Sequence, residues 1–136
     1  MIVLDTSVLS AVLRRRKRGD VEEALVARLA SLLKTEEQVS VPGIVLQELL
    51  SGIAEQKQGE RVLAAIRESF PVMLATEGDH LKAADLSNLA ARKGVALSTP
   101  DALIAAQAFN RRASLFTTDG DFPKIAAMTG LKLVGR

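Results

Sequence analysis

Short, wholly apolar runs that stop at an acidic or hydroxyl residue and give way to helix-spaced apolar residues recur along this chain. They restrict its fold more than any other feature. The first is Ile2-Val3-Leu4, ending abruptly at Asp5-Thr6-Ser7. A run this brief and this apolar reads as a strand buried on both faces, as in parallel sheets. Val8, Leu9, Val12 and Leu13 then recur at helical spacing, and a basic run at 14–18 followed by Gly19 ends that helix. Asp20 is a candidate cap for the next helix, with Glu23 in capping-box spacing and Leu25, Val26, Leu29, Leu32 and Leu33 as its stripe. A second strand is expected at 39–41. Pro42 suits the first turn of a helix carrying Val45, Leu46, Leu49, Leu50 and Ile53.

The alternation continues. Gly59 reads as a break before a helix at 60–68, and 71–75 as a third strand. Asp79 is positioned to cap a helix that runs to Arg92, with Gly94 where a helix C-terminus favours glycine. Residues 95–97 read as a fourth strand. Thr99 and Pro100 open another helix as cap and first-turn proline. A fifth strand is expected at 114–117, then a short helix, then an edge strand at 131–134. There is no repeat, low-complexity tract or linker, so the 136 residues are read as one domain. The expected class is α/β, with helices layered on a mainly parallel sheet. Apolar residues make up 48% of the chain, but only four are Phe and none is Trp or Tyr. The core must therefore be built from Leu, Val, Ile and Ala.

Composition also excludes chemistry. With no cysteine there is no disulfide, thiolate zinc site or cysteine nucleophile, which fits a reducing cytoplasm. A single histidine, His80, leaves no basis for a Ser-His-Asp triad or a His-rich zinc site; it reads as a structural or surface residue. A metal would be held by oxygen alone, which favours Mg²⁺ or Mn²⁺. The net charge of +2, from 18 basic and 16 acidic residues, says little by itself about nucleic acid. No apolar run reaches membrane-spanning length, and the N-terminus lacks a signal-peptide pattern, so a cytoplasmic protein is expected. Gly43, Gly52 and Gly120 form no phosphate-cradling loop.

What remains is a set of acids placed by the expected strands. Asp5 follows the first strand and Asp119 the fifth; Asp101 lies in the first turn after the fourth, and Glu48 about two turns into the helix after the second. In a parallel sheet all four come to the carboxyl edge, where ligands bind. Each has an ordinary alternative: Asp5 a helix cap, Asp101 a dipole-facing acid, Glu48 a surface acid, Asp119 and Asp121 turn residues. Asp101, however, is in phase with Ile104, Ala105 and Ala108, an inward-looking stripe. Two carboxylates about 4 Å apart repel by roughly 4 kcal/mol at an effective dielectric near 20. A cluster of four persists only with a cation present or with protons retained. A divalent ion there would make a water more acidic and offset phosphate charge, so phosphodiester hydrolysis fits this inventory without a histidine base.

Four segments, in order, carry a resemblance: Met-Ile-Val-Leu-Asp-Thr-Ser at 1–7, Val-Pro-Gly-Ile-Val-Leu-Gln-Glu-Leu at 41–49, Pro-Asp-Ala-Leu-Ile-Ala-Ala at 100–106 and Phe-Thr-Thr-Asp-Gly-Asp-Phe at 116–122. The chain resembles PIN-domain nucleases, in particular VapC-like toxins of type II toxin–antitoxin systems, over essentially its whole length. The resemblance implies a three-layer α/β/α sandwich and a Mg²⁺- or Mn²⁺-dependent endoribonuclease acting on RNA. It implies Asp5, Glu48, Asp101 and Asp119 as metal-binding acids, with Asp121 as an alternative in the last loop. Thr6 and Thr117 match positions where a hydroxyl supports the acids. It also implies a homodimer and a cognate VapB-like antitoxin laid over the active-site groove, for which the helices carrying Val8, Leu9, Val12 and Leu13, and Leu25, Val26 and Leu29, are candidates. Many relatives carry a further acid shortly before the one matching Asp101. Here that stretch is Leu97-Ser98-Thr99-Pro100, which leaves one or two metals open.

Other readings are weaker. An aspartyl-phosphate enzyme built on Asp5 would carry a second Asp two residues later, where Ser7 stands. A non-catalytic PIN-like module would be expected to have lost some of the acids. A PIN nuclease of RNA processing without a toxin role remains an alternative. Residues 14–18 are candidates for RNA phosphate contacts or for a solvated helix end.

Overall fold

The computed structural model describes residues 1–13 and 19–135; the basic run at 14–18, and with it the reading of RNA contacts, lies outside the described residues. Five strands form one parallel sheet in the order β3-β2-β1-β4-β5: β1 (Ile2–Leu4), β2 (Val39–Pro42), β3 (Val72–Met73), β4 (Ser114–Phe116) and β5 (Lys132–Leu133). Among the described residues there are seven helices: α1 (Thr6–Val12), α2 (Asp20–Leu33), α3 (Gly43–Ser51), α4 (Gln56–Ser69), α5 (Glu77–Arg92), α6 (Thr99–Asn110) and α7 (Asp121–Thr129). This is the expected α/β/α sandwich.

The sequence of β1 explains its place. All three of its residues are buried, and it lies at the centre with β2 on one side and β4 on the other. The chain steps outward from β1 to β3, then returns across the sheet to β4. The strand order thus reverses between β1 and β4, and the crevice beyond their carboxyl ends is where such sheets bind ligands. Asp5 and Asp119 follow those two strands. α6 is buried continuously from Ala102 to Ala108; its small side chains let the helix pack closely, which brings its N-terminal turn to the same edge.

Several local expectations differ from the structure. Residues 95–97 form no strand. Gly94 takes φ +78 and the Val95 N–H donates to Ala90 O at 2.9 Å, so this segment closes the end of α5 instead of joining the sheet. Gly59 does not break the chain. It lies inside α4, its N–H bonded to Glu55 O at 3.0 Å, because burial of Ile66 and partial burial of Val62 outweigh the modest cost of one glycine. Pro42 ends β2 and is the N-cap of α3 rather than a first-turn residue. Three caps shift by one to three residues. Gly19, not Asp20, precedes α2; Thr76 caps α5 with Asp79 as its capping-box partner; Ser98 caps α6, with Pro100 in its first turn.

Among the described residues, no helix is long and apolar enough to cross a membrane.

Candidate active site

Asp5 occupies the N-cap position of α1, yet its carboxylate does not cap the helix. Its side chain is drawn the other way. The Ser7 and Thr117 hydroxyls both donate to Oδ2 at 2.7 Å, and they lie 3.3 Å from one another. Oδ1 has no hydrogen-bond donor among the described residues. Asp5 is only 3% exposed, and a buried carboxylate held by two hydroxyls on one oxygen leaves the other available to a cation.

The same hydroxyls lace β1 to the loop after β4. Ser7 Oγ accepts from the Thr118 N–H at 3.0 Å, and Thr117 Oγ1 accepts from the Asp119 N–H at 3.0 Å. Asp119 Oδ1 in turn accepts from the Asp121 N–H at 2.9 Å, an Asx turn that shapes the loop. Across the crevice, the Thr6 hydroxyl donates to Glu48 Oε1 at 2.7 Å and fixes the half-buried Glu48 of α3 beside the start of α1.

Asp101 completes the group from the first turn of α6. Its N–H donates to Ser98 Oγ at 3.2 Å. Its carboxyl is pushed up from 3.8 to about 6; burial is the largest cause, the Ser98 contact opposes it, and the charges of Asp5, Asp119 and Glu48 raise it further. Asp101 thus feels the charge of the other three acids. Asp121 stands apart: its carboxylate lies 3.6 Å from Lys124 Nζ with the side chain 41% exposed, and it is not among the charges acting on Asp101.

Among the described residues, no three acidic or histidine side chains are close enough to make a ready-formed metal cage. An oxygen-only set of this kind still fits Mg²⁺ or Mn²⁺, because such ions keep several waters and need only one or two carboxylates from the protein. His80 is exposed in the first turn of α5, as its surface reading expects. Sequence reasoning missed Ser7 and Ser98. Ser7 was visible as a hydroxyl two residues after a strand-end acid, but the need for it shows only once Thr117 lies alongside.

The sequence pattern of the PIN domain matches residues 2–128. The chain belongs to the PIN domain family. Solved PIN-fold structures are similar throughout. The VapBC2 complex of Rickettsia felis, bound to a DNA fragment from its promoter, is 22% identical over 98% of this chain and 97% of that one, with a TM-score of 0.80. FitAcB from Neisseria gonorrhoeae is 25% identical over 93% and 94%, with a TM-score of 0.70. VapC20 from Mycobacterium tuberculosis, a Sarcin-Ricin loop cleaving toxin, is 22% identical over 91% and 94%, with a TM-score of 0.69. No curated protein matches by sequence. This PIN domain thus shares its fold with the toxins of toxin–antitoxin pairs.

Proposed function

We propose that this PIN domain is a Mg²⁺- or Mn²⁺-dependent endoribonuclease and the toxin of a type II toxin–antitoxin pair, working in the cytoplasm as a homodimer. What supports the reading is that Asp5, Glu48 and Asp119, from three separate segments, all act on the Asp101 carboxyl at the reversal point of the sheet. Nothing in the packing of the fold requires such a cluster, and the mutual repulsion works against it.

The residues divide the work. Ser7 and Thr117 hold Asp5 by one oxygen, Thr6 holds Glu48, and the Asx turn positions Asp119. Asp101, raised to about 6, gives up its proton near neutrality and completes the negative site. Mg²⁺ or Mn²⁺, when bound by these acids, offsets charge on the scissile phosphate and makes the attacking water more acidic. Attack of that water on phosphorus would break the bond to the leaving ribose oxygen, which would take up a proton as the water gives one up.

A VapB-like antitoxin is supported by a cavity of about 240 Å³ between α1, α2 and α4, lined by Leu9, Val12, Leu13, Val26 and Leu29 among others. Of the residues whose spacing suggested a groove, Val8 and Leu25 do not line it, and Leu9 and Leu29, like Val8, are buried in the core. VapBC2 of R. felis and FitAcB of N. gonorrhoeae, which share this fold, support a partner of this kind.

The test is RNA cleavage by purified protein with Mg²⁺ or Mn²⁺, with EDTA, and by Asp5→Ala. Activity is expected only in the first condition; activity surviving EDTA or the substitution would reject the mechanism. Induced expression should arrest growth, with rescue by an adjacent small gene. Cleavage without growth arrest would point to RNA processing instead.

A further inference from the structure

A cleft of about 820 Å³ opens beside the acidic cluster. The two are continuous, because Thr6 and Glu48 line both. Its remaining wall comes from α1, α3 and the start of α4. Leu49, Ile53 and Val62 give it an apolar side; Ser10, Glu55 and Gln58 give it a polar one. Its size falls within the range of small-molecule sites. Among the described lining residues the polar groups are hydroxyls, carboxylates and an amide, which can hydrogen-bond to the edge of a base. It suits a flat, neutral group with apolar faces and a hydrogen-bonding edge.

We propose that this cleft receives an unpaired base of the RNA next to the scissile phosphate, and that Glu55 and Gln58 select guanine. This rests on the ribonuclease reading. Sequence-selective recognition of RNA depends on splayed-out bases read along their edges. In a chain with no Trp or Tyr, the base faces must lie against aliphatic side chains such as Leu49 and Val62. Glu55 is exposed at the N-cap of α4, and Gln58 is half-buried one turn on. Neither side chain has a hydrogen-bond or ion-pair partner among the described residues. A carboxylate offers only acceptors, and an amide offers both donor and acceptor. Guanine presents adjacent N1–H and N2–H donors to a carboxylate, with O6 beside them for an amide donor. Uracil presents one N–H between two carbonyl oxygens, which a carboxylate repels.

The test uses short oligouridines carrying one central G, A, C or U, with cleavage sites mapped in Mg²⁺ for wild type, Glu55→Ala, Gln58→Ala and the cleft-filling Val62→Phe. Thermal melts confirm folding; Glu55 is exposed and Gln58 only half-buried, so these two variants keep the test valid if Val62→Phe unfolds. Wild type should cut at a fixed offset from G, about tenfold faster than in the all-uridine strand. Glu55→Ala and Gln58→Ala should erase that preference, so that the G-containing and all-uridine strands are cut at the same rate. A wild type that cuts no RNA rejects the ribonuclease reading and this inference with it. A wild type that cuts RNA with no preference, with a uracil preference, or with a guanine preference untouched by either alanine overturns the cleft assignment alone. So does loss of antitoxin inhibition in these variants with an unchanged cleavage pattern, which would make the cleft a peptide site.

Discussion

The Thr6 hydroxyl donates to Glu48 Oε1 at 2.7 Å across 42 positions of sequence, so the first residue of one helix fixes the carboxylate of another. A hydrogen bond to a charged group is worth about 1.5–3 kcal/mol. Thr6→Val keeps the shape and deletes the donor. Glu48 then swings away from its neighbours, and kcat for RNA is expected to fall about tenfold or more with little change in Tm. Thr6→Ser should restore most of the rate, since it keeps the hydroxyl. Equal losses in both variants would show that the methyl group matters rather than the bond.

The loop after β4 holds two acids in different surroundings. Asp119 lies at the end of the Thr117–Asp5 network, whereas the Asp121 carboxylate faces Lys124 at 3.6 Å and solvent. An exposed pair of that kind contributes about 0–1 kcal/mol. Asp119→Asn is expected to reduce cleavage by about a hundredfold, and Asp121→Asn by less than about tenfold. Parallel kinetics on the two variants separates the positions; a larger effect at Asp121 would reassign the site.

Asp79 and Arg111 anchor the far end of α6. The guanidinium donates to both carboxylate oxygens at 2.9 Å, and Asn110 and the Thr76 N–H add further bonds. Burial, the strongest single influence, favours the neutral acid. The bonds from Arg111, Thr76 and Asn110, with the Arg111 charge, outweigh it and hold the carboxyl well below its ordinary 3.8. The stabilisation is therefore intact above that value and lost as pH falls through the depressed one. Arg111→Met strands a buried charge and should cost about 3 kcal/mol at neutral pH. The deficit should shrink on acidification, as chemical denaturation at several pH values would show.

The central strand and the acids were legible because they obey local rules. Ile2–Leu4 has no polar residue to expose, and Asp5 must lie just past its end. Asp101 announced itself by its phase with Ile104 and Ala108. The fourth strand expected at 95–97 failed because three apolar residues after a helix fit equally well as the hydrophobic close of that helix, and the choice depends on where Gly94 turns the chain. Gly59 misled because a glycine's cost is small beside the packing of the helix around it. Ser7 was illegible for another reason. Its role is to bridge Asp5 and Thr117, which are 112 positions apart, and no local pattern encodes that encounter.

Asp101 offers the clearest conflict between stability and activity. Its carboxyl titrates near 6 in the folded protein against an ordinary 3.8, so folding favours the protonated form. Below 3.8 the group costs nothing; the cost grows as pH rises and is complete above 6. In EDTA at pH 7.5, ionising this carboxyl against burial and its acidic neighbours should thus cost about 3 kcal/mol, and Asp101→Asn, which cannot ionise, should melt higher than wild type. The advantage should fade by pH 4, and Mg²⁺ should cancel it at pH 7.5 by stabilising wild type more than the variant. Cleavage by Asp101→Asn should nevertheless be lost. Melting curves at the two pH values, with and without Mg²⁺, test this; an Asn variant less stable than wild type at pH 7.5 in EDTA would mean that burial and like charges do not oppose ionisation of Asp101.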